Sequence, residues 1–287
     1  MKPAYLIVNA DDFGYFDSVS RGIADAARLG VVTATGILAT STNLDRQVEE
    51  FAGLPELDFG VHLNLTVGEP LSNTMRAQFR QGNGCFTDKF GLAAAVLRRT
   101  LKVSTIMAEW RAQITRCLSL GIKVCFLNSH EHIHMLPPLF TLAHELALEF
   151  DIPYVRYVTA DWRGRFTPEG AARNMILATL GLLNPKKFSP VIPMLGLTES
   201  GKLTMQYLKK SLTGLSSGGI YELMCHPGMA DPQEKIKPRI KAYHDWDSER
   251  ELLCSEAFRE FLVQQNIRLI GFRDLTITKN HVFINEG

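Results

Sequence analysis

Short apolar, β-branched runs alternate along the chain with longer segments whose apolar residues recur at helical spacing. Tyr5–Asn9 reads as a buried strand. Ser18 is placed to cap a helix running to about Leu29, with Gly30 as its stop. Val31–Ala39 reads as the next strand, Asp45–Phe51 as the next helix and Asp58–Leu65 as the third strand. Thr105–Leu120 is strongly helical and stops at Gly121; Ile122–Asn128 is a fourth strand, followed by a helix over Pro137–Phe150 with proline at its start. Pro153–Val158, Val191–Leu195, Ile220–Cys225 and Arg268–Gly271 complete the strand pattern, with a helix around Ser248–Gln265 between the last two.

Seven or eight strands, each followed by a helix, imply parallel pairing, so the expected class is α/β. One closed or nearly closed (β/α) barrel over residues 1–287 fits this rhythm better than two domains. The alternative is a doubly wound open sheet, but no GxGxxG or Walker loop follows the first strand. Two stretches break the rhythm, 66–104 and 226–247. Both follow predicted strands, which in a barrel places them on the face where active sites are built.

Composition narrows the function. The 287 residues include 31 Lys+Arg against 30 Asp+Glu, a balance that gives no electrostatic case for nucleic acid or an anionic membrane. No apolar run approaches the ~18 residues of a membrane span. The run Tyr5–Val8 meets Asn9, Asp11 and Asp12 at once, too soon for the about 7–15 apolar residues of an export signal, so a cytoplasmic location is expected. Five scattered cysteines (Cys85, Cys117, Cys125, Cys225, Cys254), with no CxxC, read as small buried residues in a reducing compartment.

Candidate chemistry gathers at strand ends. Asn9-Ala10-Asp11-Asp12-Phe13-Gly14 closes the first strand, and adjacent carboxylates there are electrostatically awkward unless a cation or a base role uses them. Asn128-Ser129-His130-Glu131-His132-Ile133-His134 packs three of the eight histidines into five positions. If the strand continues through it, its period of two puts all three imidazoles on one face. His62 sits in the third strand, and His226 opens His226-Pro227-Gly228 after the strand ending at Cys225. Asp12, His62, His130 and His226 thus lie near the ends of four different strands, which a barrel brings to one face. Two imidazoles and one carboxylate with open positions left over suit a catalytic divalent metal. Phe86, Trp162 and Trp246, in or near the insertions, are aromatic candidates to stack on a bound ligand.

At these residues the chain resembles the YdjC-like carbohydrate deacetylases, a family that includes chitooligosaccharide and hopanoid-associated deacetylases. The matching pieces are Asn9–Gly14, Gly60–Thr66, Ser129–Pro137 and His226–Gly228. The resemblance implies a deformed (β/α) barrel related to polysaccharide deacetylases. It implies one divalent metal ion held by Asp12, His62 and His130, with Asp11 as general base, His226 as general acid and Arg156 orienting the base. Two imidazoles favour Zn²⁺ on ligand softness, while the resemblance implies Mg²⁺ as the alternative. His132 and His134 are expected behind the ligands or on substrate, and a nearby carboxylate or the oxyanion is expected to raise the pKa of His226 as the amine departs. One departure stands out: Asn128 occupies a position where the family more often has Asp. The expected reaction is hydrolysis of the N-acetyl group of an amino sugar, and the enzyme is expected without a membrane span, with a homodimer as a possible assembly. The rivals are a metal-dependent hydrolase of another amide or ester and a non-catalytic sugar-binding barrel. A glycosidase needs two carboxylates flanking a bond, which the neighbours Asp11 and Asp12 are poorly placed to do.

Overall fold

The computed structural model describes residues 2–79, 84–164, 167–184, 190–278 and 281–285. Eight strands form one sheet: β1 (Ala4–Phe13), β2 (Ala34–Ile37), β3 (Asp58–Leu63), β4 (Val124–Ser129), β5 (Tyr154–Val155), β6 (Met194–Leu195), β7 (Ile220–Cys225) and β8 (Ile267–Leu269). Their order is β5-β4-β3-β2-β1-β7-β6, and β8 pairs with the first residues of β1. Every ladder in the sheet is parallel; the antiparallel pair is a separate hairpin, β9 (Leu275–Ile277) with β10 (Val282–Ile284). The expected α/β barrel is therefore present but not closed. Among the described residues no ladder joins β5 to β6, and a side-chain bond, Met194 N–H to Thr159 Oγ1 at 2.9 Å, stands between the two edges.

Both faces of β1 are buried, as the continuous runs of a parallel sheet require. Leu6, Val8 and Ala10 face the helices, in the core with Val19 and Ile23 of α1 (Asp17–Arg28). The alternate residues face the barrel interior, where two layers differ sharply. Tyr5, Ile7, Phe126, Tyr154 and Phe272 fill the amino-terminal layer, with Phe126 and Tyr154 stacked on Phe272 at centroid distances of 4.2 and 5.2 Å. Gly60 makes room for this: a Cβ there would stand 2.4 Å from the Phe126 ring. Two residues further along the same strands, the interior turns polar: Asn9, Asp11, His62, Asn128 and Arg156, each nearly or fully buried.

Several boundaries differ from the sequence expectation for local reasons. β1 runs on to Phe13, because Asp11 and Asp12 belong to the polar layer rather than to a loop. Ser18 is not the cap of α1. Phe16 holds that position, and Ser18 lies in the first turn, where its N–H and hydroxyl both donate to Glu234. This contact fastens the 226–247 segment over the helix start. β5 is only two residues long because it is an edge, paired on one side with β4. The helix expected over 248–265 is two, α10 (Trp246–Cys254) and α11 (Glu256–Gln264), broken at extended Ser255, whose Oγ caps α11 by accepting the Phe258 N–H. The 66–104 segment, described apart from 80–83, carries α3 (Asn73–Phe79) and α4 (Lys89–Leu97). It is pinned by Glu109 of α5 (Val103–Ser119), which accepts the Leu71 and Ser72 N–H groups. No described helix is long and apolar enough to cross a membrane. Among the described residues no disulfide joins any of the five cysteines; Cys117, Cys125 and Cys225 are buried as expected, whereas Cys85 and Cys254 are half-buried.

Candidate active site

The polar layer forms one hydrogen-bonded network across five strands. Arg156, fully buried just after β5, reaches Asp11 with both terminal nitrogens, at 2.7 Å to Oδ2 and 3.0 Å to Oδ1. Its Nε and one terminal nitrogen also reach Glu222 Oε1 of β7, at 2.9 and 2.6 Å, and the same oxygen accepts from Asn9 Nδ2. Asn128 works in both directions: its Nδ2 donates to Asp11 Oδ1 at 2.8 Å, and its Oδ1 lies 2.8 Å from His62 Nδ1. An aspartate at 128 has no proton to give Asp11. The departure from the family pattern thus makes a donor–acceptor link rather than a gap.

That link sets the state of His62. With Asn128 Oδ1 as acceptor, His62 carries its proton on Nδ1 and turns Nε2 toward Asp12 Oδ1 at 3.2 Å. His130 Nε2 points to the same oxygen from 3.8 Å, its Nδ1 being held by Thr66 Oγ1 at 2.8 Å. Asp12 Oδ1 is buried and has no hydrogen-bond donor among the described residues. Asp12 reaches this place with φ of 74°, a left-handed backbone within the irregularity where β1 shifts register on β2 between Ala10 and Phe13. Three donors thus converge, although among the described residues no three His, Cys, Asp or Glu side chains are spaced as a formed metal cage.

Charge argues in the same direction. Of the three buried carboxyl groups, Asp11 and Glu222 share one guanidinium while Asp12 faces only imidazoles, an arrangement whose negative charge burial makes costly. Burial alone would raise the pKa of Asp11, but Arg156 and His62 outweigh it and hold the carboxyl down at about 2. Burial likewise opposes ionisation of Asp12, yet His130 and His62 keep it far below the carboxylate range. For His62 burial works downward, and the Asp11 and Asp12 charges overcome it, so the imidazole is raised above its usual value. His130 is lowered, chiefly by burial.

The histidine cluster is not an extended strand. β4 stops at Ser129, and His130–Met135 form a tight 3-10 segment in which Glu131 and His132 take left-handed φ of 53° and 56°. The imidazoles therefore part company, contrary to the period-of-two expectation. His130 joins Asp12. His134 turns behind the site, its Nδ1 against Ser129 Oγ and its Nε2 against the Arg156 carbonyl at 2.8 Å, and burial holds its pKa at about 3. His132 has a buried Nδ1 with no partner among the described residues, and burial with Arg156 keeps it well below the usual range.

His226 sits at the carboxyl end of β7, 8% exposed, with its backbone N–H held at 2.7 Å by Glu249 Oε2. Asp12 and Asp11 do pull upward, but burial is the larger effect and the imidazole lies below its usual value. Sequence reasoning missed Glu222, Glu249 and His244. Glu222 was detectable as a charged residue inside an otherwise apolar strand, Ile220–Cys225. Glu249, fully buried in α10, also accepts the Leu203 N–H and is pushed up to about 7 by burial. His244 lies in the 226–247 insertion, 5.2 Å from the His226 ring and stacked on Trp246 at 5.0 Å. That stack and the packing around it leave Trp246 only 5% exposed, and Phe86 is 8% exposed. Neither offers a face to a sugar.

The fold and this polar layer define an α/β half-barrel with a carboxylate–imidazole centre at the carboxyl ends of its strands. The model of the YdjC-like protein family matches residues 5–264, and the chain belongs to that family. A carbohydrate deacetylase of Clostridium beijerinckii is 28% identical over 276 residues, covering 94% of this chain and 99% of the relative. One from Brevibacillus brevis is 29% identical, covering 94% and 99%, and one from Geobacillus stearothermophilus is 30% identical, covering 80% and 81%. Among solved structures, a protein of Enterococcus faecalis described as a cellobiose-phosphate cleavage protein superposes with TM-score 0.69 at 24% identity, covering 94% of this chain and 98% of that one. That likeness concerns the fold alone.

Proposed function

We propose that the protein is a metal-dependent carbohydrate deacetylase that hydrolyses the N-acetyl group of an amino sugar to acetate and free amine. The observation that carries the metal is Asp12 Oδ1, a buried carboxylate oxygen without a hydrogen-bond donor, faced by the Nε2 atoms of His62 and His130. A positive species between them, a second ring proton or a cation, relieves the repulsion of their lone pairs. Asp12, His62 and His130 would hold a divalent ion. Two imidazoles and one carboxylate are the donor set of catalytic zinc, with magnesium the alternative. When bound, such an ion polarises the amide carbonyl and acidifies water.

The remaining steps belong to the chain. Arg156 and Asn128 fix both oxygens of Asp11, so the carboxylate is ionised and oriented before substrate arrives. A carboxylate held at about 2 is a weak base, suited to the water that a bound ion would acidify. Asp11 takes the proton as water adds to the carbonyl. His226, whose burial makes its protonated form a strong acid, delivers a proton to the departing nitrogen, since an amide anion is too poor a leaving group.

The test is acetate release from a panel of N-acetylated sugars, with metal content measured on the same protein. Wild type should release acetate and lose activity on chelation. His62→Ala and His130→Ala should lose metal. Full metal occupancy in both variants, or no acetate from any sugar, overturns the reading. A bound but unhydrolysed sugar would favour the non-catalytic rival.

A further inference from the structure

The polar layer contains one carboxylate that the proposed mechanism does not use. Glu222 is fully buried in β7, four residues before His226, and is the one charged residue of that strand. Burying a carboxylate costs several kcal/mol unless its bonds repay it, so its partners show what it serves. One oxygen takes every described bond. Oε1 accepts from Arg156 Nε at 2.9 Å, from an Arg156 terminal nitrogen at 2.6 Å and from Asn9 Nδ2 at 2.9 Å, while Oε2 has no donor among the described residues. Arg156 is thereby held along two edges. Its Nε edge rests on Glu222, and its two terminal nitrogens rest on the two oxygens of Asp11 at 2.7 and 3.0 Å. The guanidinium is planar and rigid, so fixing one edge fixes the direction of the other.

The topology gives this contact its weight. Arg156 follows β5, one edge of the sheet, and Glu222 lies in β7, beside β6 at the other edge. No described ladder joins β5 to β6, so strand pairing does not set the distance across the opening. Within the polar layer the Arg156–Glu222 ion pair spans it, with Asp11 of β1 seated on the same guanidinium. The Arg156 backbone is anchored separately, its N–H donating to the Leu127 carbonyl at 2.8 Å and its carbonyl facing His134 Nε2 at 2.8 Å. Those bonds fix the Cα and leave the long side chain its torsions, which Glu222 settles.

We infer that Glu222 is a positioning residue for the proposed reaction: it holds the Arg156 guanidinium across the open side of the half-barrel and, through it, the plane of the Asp11 carboxylate. What it supplies is one acceptor oxygen at the correct reach, since Oε2 carries no described bond. This inference rests on the deacetylase reading, with Asp11 as the base, and deepens it.

The experiment separates reach from charge in the full chain. Glu222→Gln keeps an oxygen at the same reach and discards the charge. Glu222→Asp keeps the charge and draws the oxygen back by one methylene. On the N-acetylated sugar that wild type hydrolyses best, kcat per folded molecule should stay within about threefold in Glu222→Gln and fall about 30- to 100-fold in Glu222→Asp, with KM and metal content unchanged. In an Arg156→Lys background, whose ammonium cannot hold two carboxylates along fixed edges, Glu222→Asp should change kcat by less than about twofold. Arginine side-chain NMR gives a readout without turnover, the Arg156 signals being assigned by their loss in Arg156→Lys. Rotation of the guanidinium should be slow in wild type and Glu222→Gln and faster in Glu222→Asp. The reverse ranking, with Glu222→Gln impaired and Glu222→Asp active, overturns the inference. So does an undiminished loss in the Arg156→Lys background, or a Glu222→Asp variant that melts earlier yet turns over normally per folded molecule. If wild type releases no acetate from any sugar while Arg156 still loosens in Glu222→Asp, the brace stands and the deacetylase reading falls.

Discussion

The two interior layers of the half-barrel are built from the same strands, two residues apart, and they solve opposite problems. The amino-terminal layer of Tyr5, Ile7, Phe126, Tyr154 and Phe272 is apolar and stacked. The carboxyl-terminal layer of Asn9, Asp11, His62, Asn128, Arg156 and Glu222 is as deeply buried yet almost wholly polar. The first gains stability from burial itself. The second survives burial because most of its donors and acceptors are matched; Asn9 Oδ1 and Glu222 Oε2 are exceptions, and the unmatched Asp12 Oδ1 beside it is where chemistry is expected. A polar layer this deep is tolerable because the apolar layer beneath it holds the strands in register.

Substitutions in each layer should therefore separate. The largest effect is expected from Asp11→Asn, which keeps the shape and removes the basicity. Acetate release per folded molecule should drop by roughly 10³- to 10⁴-fold with metal content retained. Phe126→Ala, in the other layer, should cost about 4 kcal/mol of stability in denaturant titration, and a melting temperature lower by roughly 10 °C, while turnover at low temperature stays close to wild type.

Glu249 tests the boundary between the layers and the loops through pH. Burial raises its folded pKa from an ordinary 4.5 to about 7, against the pull of the His226 and Leu203 N–H groups. An acid with a raised folded pKa contributes stability that is complete below the unfolded value and lost as pH rises through the folded one. At about 1.4 kcal/mol per unit, the wild type should lose about 3 kcal/mol between pH 4.5 and 7 from this group. Glu249→Gln should flatten that slope, as chemical denaturation at pH 5, 6 and 7 will read. The smallest effect is expected at Gly36, where a Cβ would stand 3.0 Å from Asn128 Oδ1 and 3.1 Å from His62 Nδ1. Gly36→Ala should cost about 1–2 kcal/mol and weaken metal binding about tenfold in chelator competition, by disturbing the bond that orients His62.

The same contrast explains what could be read from the sequence. The outward face and the apolar layer follow periodicity, so the strands and their parallel pairing are legible from pattern alone, whereas the strand order is not. The strand ends were less so. β1 continues through Asp11 to Phe13 because its last residues join a polar interior, a context that hydropathy reads as loop. The His130–His134 cluster identified the right place but the wrong geometry, since left-handed Glu131 and His132 break the alternation. His244 and Glu249 come from a segment more than a hundred residues away from His130. Only the folded position of the 226–247 insertion and α10 brings them to the site.

The left-handed backbone of Asp12 narrows what substitution can explore. With φ at 74°, the position accommodates glycine freely and asparagine or aspartate with little strain, while other side chains are strained there by about 1–2 kcal/mol. An anionic oxygen of the right reach is offered by aspartate, with glutamate one methylene too long and poorly suited to that backbone. The set allowed by conformation and the set allowed by chemistry share a single member. A random change at this codon therefore has few half-functional neighbours to pass through: Asn and Gly preserve the turn and discard the charge, and other residues add about 1–2 kcal/mol of backbone strain. Selection on this residue should look all-or-none in a saturation library, in contrast to Arg156 or Glu222, where partial function can grade with size and charge.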